Sequence, residues 1–144
     1  LVVMEKVEGV VLRDALGTMT RDAARMAMRA AGAELGKVHR AGVAHGDVTT
    51  ANMVLTGSGE VYLLDLGLAK RIEDPEDAAV DLHLLIRVLE SSHYESKEEL
   101  LRCFLRGYRE VLSEEAVREL LSRVSEIRMR GRYVEERRVR KVNQ

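Results

Sequence analysis

Apolar residues follow two different periods along this chain, and the change between them marks the elements. Leu1 to Met4 is a short apolar run that reads as the end of a strand, followed by a polar connector through Gly9. Val10 to Leu16 predicts a short helical piece that stops at Gly17. From Thr20, a good N-cap, to about Arg40 the spacing is helical, with Gly42 just past the end. The apolar face of this helix reads as Ala23, Met26, Ala27, Ala30, Leu35 and Val38. Met53 to Leu55 and Val61 to Leu64 then flank Thr56-Gly57-Ser58-Gly59, which predicts a β-hairpin. Beyond Asp74-Pro75 the helical period returns over about 76–89, 97–112 and 114–129. Ser96 with Glu99 reads as a capping box, and Ser113 as a second cap. The pattern predicts a mostly helical α+β fold with one small hairpin.

Composition narrows this to a single domain, since 144 residues that are 46% apolar supply one core. One cysteine excludes a disulfide framework, and Cys103 reads as an inert buried thiol. His39, His83 and His93 have no cysteine or carboxylate at metal spacing and read as packing residues; Met19, Met26 and Met28 read as core filling. No run approaches the roughly 18 apolar residues of a membrane span and no signal peptide opens the chain, so a soluble, cytoplasmic protein is expected. The net charge of -1 hides an asymmetry. Residues 128–144 carry seven basic and two acidic side chains, and the other 127 residues are net acidic.

The chemistry concentrates in His45-Gly46-Asp47-Val48-Thr49-Thr50-Ala51-Asn52, which sets an Asp and an Asn five positions apart on a loop. Phosphoryl transfer uses such a pair: the Asp orients the attacking hydroxyl, and the Asn gives an amide oxygen to a Mg²⁺ that bridges nucleotide phosphates. The second Mg²⁺ ligand is expected at the far end of the hairpin, where Asp65 stands in Leu64-Asp65-Leu66-Gly67. The joint pattern has a chance frequency below about one in ten thousand and points to the catalytic half of a protein-kinase-like fold.

Three segments resemble the small atypical Ser/Thr kinase and ATPase subunit of the KEOPS complex, which supports threonylcarbamoyl-adenosine modification of tRNA. They are His45 to Met53 with Thr49-Thr50, Glu76 to Leu82, and Arg128-Met129-Arg130-Gly131-Arg132. The ending from Gly131 to Arg137 resembles the archaeal members. The resemblance implies ATP and Mg²⁺ as cofactors, Asp47 as catalytic base, and Asn52 and Asp65 as metal ligands. It makes residues 1–9 the hinge, where Glu5 and Val7 meet the adenine edge behind a gatekeeper Met4, with Val54 as the apolar floor. His45 and Asp81 take structural roles, Asp81 as the buried helix Asp that ties down the catalytic loop.

Four departures from ordinary protein kinases shape the expectation. Thr49 stands where most have a Lys on the transferred phosphate, which predicts slow transfer. Leu66 replaces the Phe of Asp-Phe-Gly and is expected to keep its packing. The stretch Ala69 to Asp77 is short and lacks Ala-Pro-Glu, which favours ATP hydrolysis over a docked protein substrate. Finally, no Gly-x-Gly-x-x-Gly loop or Val-Ala-x-Lys strand occurs. With Leu1 in place of an initiating Met, the expectation is a fragment: a protein-kinase-like C-terminal lobe over 10–127 and a basic tail over 128–144, the N-terminal lobe absent and the fragment inactive alone.

The resemblance implies the threonylcarbamoyl transferase subunit of KEOPS as a partner through this lobe, and leaves Arg128, Arg130, Arg132, Arg137 and Arg138 of the tail to contact either tRNA phosphates or that subunit. Two rival readings remain: a non-catalytic docking module for the same partners, and a small-molecule phosphotransferase of the aminoglycoside or choline kinase type.

Overall fold

A computed structural model describes residues 8–143. Element order is β1 (Val10–Val11), α1 (Leu12–Ala15), α2 (Arg21–Arg40), β2 (Val43–Ala44), β3 (Met53–Leu55), β4 (Val61–Leu63), β5 (Lys70–Arg71), α3 (Glu76–Ser92), α4 (Lys97–Val111) and α5 (Glu114–Val142). The fold is mostly helical with a small antiparallel sheet, as the pattern predicts.

Val10 and Val11 are strand rather than helix. Both are β-branched, and β1 pairs antiparallel with β3, Val10 opposite Leu55 and Val11 opposite Val54. β3 pairs in turn with β4, so the sheet order is β1-β3-β4. A second ladder pairs β2 with β5, Val43 opposite Arg71 and Ala44 opposite Lys70. Two-residue strands carry no period, so this ladder has no signature in the sequence.

Thr20 caps α2 as expected, its Oγ1 accepting the Ala23 N–H at 3.2 Å. The buried face is offset from the predicted one: Ala24, Ala27, Met28, Ala31, Leu35 and His39 face inward, and Met26 is 74% exposed. The reason is Gly32 and Gly107. A Cβ built at Gly32 would overlap the Phe104 carbonyl oxygen of α4, and one at Gly107 would overlap the Arg29 carbonyl oxygen of α2. The two helices meet backbone to backbone, which selects the glycine-bearing stripe of α2 rather than the one with most side-chain volume.

Ser113 caps α5 by accepting the Ala116 N–H at 3.1 Å, but Ser96 makes no side-chain cap bond. Its expected partner Glu99 pairs with Arg21 at 2.9 Å and with Arg25, both on α2, because an ion pair between helices outcompetes the local box. Cys103 is partly exposed rather than buried, packed against the core beside Phe104. α5 runs through the basic segment without a break to Val142.

Candidate active site

The candidate residues lie where the β3–β4 hairpin meets the loop after β2. Asn52 ends a single 3-10 turn, Thr50–Asn52, and its Nδ2 donates to the Asp47 carboxylate at 2.8 Å and to the Asp47 carbonyl oxygen at 3.0 Å. The Asn52 carbonyl accepts the Leu64 N–H at 2.7 Å, so the hairpin returns the chain to the loop one residue before Asp65. Asp65 takes a left-handed backbone, φ 58°, and its Oδ1 accepts the Gly67 N–H at 3.2 Å. That strained turn at a non-glycine residue holds the carboxylate exposed at the hairpin's end.

His45 braces the same two segments from inside. Its Nδ1 accepts the Asp47 N–H at 3.1 Å, which leaves Nε2 to donate to the Leu64 carbonyl at 2.8 Å. The ring is 1% exposed and works as a strut between the loop after β2 and the hairpin.

Asp81 on α3 holds the start of the loop. It is 2% exposed, and its oxygens accept the His45 N–H at 2.8 Å and the Gly46 N–H at 2.9 Å. His39 Nε2 lies 2.7 Å from the same carboxylate, with Tyr108 Oη 2.8 Å from Nδ1. Burial and the Asp81 charge push the Tyr108 phenol well above its usual range, so it stays protonated and can donate to His39. A chain of hydrogen bonds thus runs from Tyr108 through His39 and Asp81 to the loop after β2, and it satisfies a buried carboxylate that would otherwise be costly.

Sequence reasoning missed His39, whose carboxylate partner lies 42 positions away on another helix, beyond any local spacing rule. It also missed Gly46. With φ +92° and a Cβ that would overlap the Leu68 carbonyl oxygen, this position accepts only glycine, and it brings the loop against the segment after Asp65.

Val54 is 6% exposed in the middle strand of the sheet. Met4, Glu5 and Val7 lie outside the described residues. Leu66 is 61% exposed and Leu68 67%, so Leu66 does not keep the expected packing: the 3-10 turn Leu66–Leu68 directs both outward, beyond the reach of the described core.

Asn52 and Asp65 offer oxygen donors, the chemistry that suits Mg²⁺. Among the described residues no group of three or more His, Cys, Asp or Glu could hold a metal alone. An ion held by this pair would complete its shell with phosphate oxygens and water.

The basic residues divide into two sets. Arg128 pairs with Glu90 at 2.7 Å and Arg130 with Glu76, both tying α5 to α3. Arg132, Arg137 and Arg138 have no acidic partner among the described residues, and Arg137 stacks over the Tyr133 ring at 5.1 Å.

The lipopolysaccharide kinase (Kdo/WaaP) family matches residues 1–108. The chain belongs to this family. Within the Kdo/WaaP family range fall the loop from His45 to Asn52, the hairpin, Asp65 and Asp81. The chain is 42% identical over 135 residues to the KEOPS complex subunit Bud32 of Pyrococcus abyssi, covering 94% of this chain and 61% of that protein. It is 38% identical over 134 residues to a probable serine/threonine-protein kinase BUD32 homolog of Archaeoglobus fulgidus, 93% of this chain and 63% of that protein. It is also 41% identical over 133 residues to a probable bifunctional tRNA threonylcarbamoyladenosine biosynthesis protein of Methanocorpusculum labreanum, 92% of this chain and 23% of that protein. These archaeal names agree with the resemblance read from the catalytic loop. The chain spans under two thirds of the length of each of these relatives. No helix among the described residues is long and apolar enough to cross a membrane.

Proposed function

We propose that this chain is the C-terminal lobe of an atypical Ser/Thr kinase and ATPase that binds ATP with Mg²⁺ and supports threonylcarbamoyl-adenosine modification of tRNA in the cytoplasm. The observation that carries the reading is the Asn52 side chain bonded to Asp47 at 2.8 Å, with the hairpin returning Asp65 beside them. In this arrangement Asp47 orients the attacking water or hydroxyl and takes its proton. Asn52 and Asp65 hold the Mg²⁺, which when bound neutralises charge on the transferred phosphoryl group. Thr49 supplies no positive charge there, so turnover is slow, and the short Ala69 to Asp77 stretch without Ala-Pro-Glu favours hydrolysis over transfer to a docked protein.

Met4, Glu5 and Val7 form the adenine hinge in this reading and Val54 the floor beneath the base. The opposite wall of the nucleotide cleft belongs to an N-terminal lobe, and the 144 residues alone are inactive. The exposed Leu66 and Leu68 are consistent with that division. The threonylcarbamoyl transferase subunit docks on this lobe, and Arg132, Arg137 and Arg138, free of acidic partners among the described residues, contact tRNA phosphates. The test is ATP hydrolysis by the full-length protein with and without the transferase subunit and tRNA. Partner-stimulated turnover that Asp47→Ala and Asn52→Ala each remove supports the reading. Turnover untouched by both overturns it.

A second reading has its own observation. The last turns of α5 are exposed on every side, Val139 at 58% and Val142 at 84%, as befits a helix that a partner covers. A docking role with dispensable chemistry predicts tRNA modification unchanged by Asp47→Ala.

A further inference from the structure

One hydrogen bond ties the catalytic loop to a residue with no part in the reading so far. Thr50 opens the 3-10 turn that ends at Asn52, and it has no exposed surface. Its Oγ1 lies 3.0 Å from His93 Nε2. His93 stands where the chain leaves α3, with φ −137° and ψ 40°, and its own N–H closes the helix on the Leu89 carbonyl at 3.0 Å. Burial lowers its pKa below the ordinary 6.5, so at neutral pH it is an uncharged imidazole with one N–H, suited to a single directed bond with a hydroxyl.

α3 therefore grips the loop at two places. Asp81 holds the backbone of His45 and Gly46 ahead of Asp47, and His93 holds the Thr50 side chain behind it. Between the two grips stand Asp47 and Thr49, and Asn52 follows two residues after Thr50. Thr50 lies in a dry site, so losing its partner orphans a buried hydroxyl and frees the turn to move. A displacement near 1 Å of a group that places a reacting centre is enough to lower a rate substantially. His93 also lines a cleft of about 490 Å³ between the start of α2 and the α3–α4 connection, with Met19, Tyr94 and Glu99 nearby, so its far side is accessible.

We propose that His93 is a positioning residue for phosphoryl transfer: through Thr50 it fixes the 3-10 turn that carries Asn52, and with Asp81 it holds both ends of the catalytic loop against α3. The inference rests on the assignment of Asp47 and Asn52 to phosphoryl transfer, and the controls separate the two.

The experiment uses the full-length protein carrying His93→Leu, His93→Gln, Thr50→Val, the double variant His93→Leu with Thr50→Val, and Asp47→Ala. Amide exchange is measured without nucleotide, and ATP hydrolysis across a Mg²⁺ titration. In His93→Leu, exchange at Thr50 to Asn52 rises about tenfold while central α3 is unchanged, kcat falls about tenfold and half-saturation by Mg²⁺ rises about threefold. His93→Gln, which keeps a hydrogen-bonding group at similar reach, recovers most of the loss, and the double variant is no worse than either single one. Exchange and kcat within about twofold of the parent in both His93→Leu and Thr50→Val overturn the proposal, as do losses that multiply in the double variant. Should His93→Leu not fold, Thr50→Val carries the same readouts. Asp47→Ala decides where a failure lies: turnover that survives it refutes the assignment of Asp47, whereas turnover that it abolishes but His93→Leu spares refutes only the role of His93.

Discussion

Asp81 Oδ1 accepts the Gly46 N–H at 2.9 Å, linking the buried face of α3 to a loop position that admits only glycine. Asp81 also receives the His45 N–H and the His39 ring, so its removal strands several polar groups at once. Asp81→Ala is expected to cost about 3–5 kcal/mol, the scale for breaking a buried charged network by deleting one partner. Asp81→Asn, which keeps an acceptor oxygen, costs less. Urea denaturation of the two variants checks the order; equal stability in Asp81→Ala and the parent contradicts it.

Gly107→Ala tests the backbone contact between α4 and α2. The added methyl meets the Arg29 carbonyl oxygen, and since that atom is backbone the helices must separate. The expected loss is about 1–3 kcal/mol or more, seen as a lower Tm. Gly57→Ala, at a turn where a Cβ meets nothing, is the control and leaves Tm unchanged within error.

Stability falls on mild acidification. Burial, with Arg87 and Arg128 nearby, holds His83 below the ordinary 6.5, and burial alone does so for His93. Between the lowered native values and 6.5 the unfolded chain binds more protons than the native one, so stability rises with pH through that window. It is complete above the window and lost as pH falls. Asp77 and Glu99, lowered by Lys70 and by Arg21 and Arg25 respectively, add a second loss at more acid pH, below their ordinary 3.8 and 4.5. Denaturation midpoints taken across the first window fall toward its acid side in the parent, and His83→Gln with His93→Gln flattens that slope.

Arg132, Arg137 and Arg138 are predicted to contribute salt-sensitive contacts to tRNA, unlike Arg128 and Arg130, which are occupied by Glu90 and Glu76. Replacing the first three with Ala reduces the slope of log affinity against log salt by about two to three. Replacing Arg128 and Arg130 mainly loosens α5 from α3. Titration with tRNA at several salt concentrations separates the two sets, and an unchanged slope in the triple variant removes the tail from the interface.

Much of this was legible before any coordinates. Thr20 and Ser113 announce α2 and α5, and Asn52 and Asp65 can be placed on the two strand ends that a hairpin brings together, because caps and alternation act over a few residues. What escaped depends on distant partners. Met26 looked like a core residue until α4 approached at Gly32 and Gly107 and turned α2 by part of a turn. Glu99 fits a capping box but answers to Arg21 and Arg25. His39 and His93 look like lone histidines, yet one meets Asp81 and the other Thr50 across 42 and 43 positions. The backbone of the candidate site could be read from the motif; the struts that hold it could not.

ATP turnover by the full-length protein bearing Asp47→Ala decides whether Asp47, held by Asn52, serves phosphoryl transfer as proposed. The expected result is a fall of about a hundredfold or more, the scale for losing a positioned general base, with Tm unchanged because the Asp47 side chain is only half-buried. Turnover within about twofold of the parent in a folded variant would contradict it.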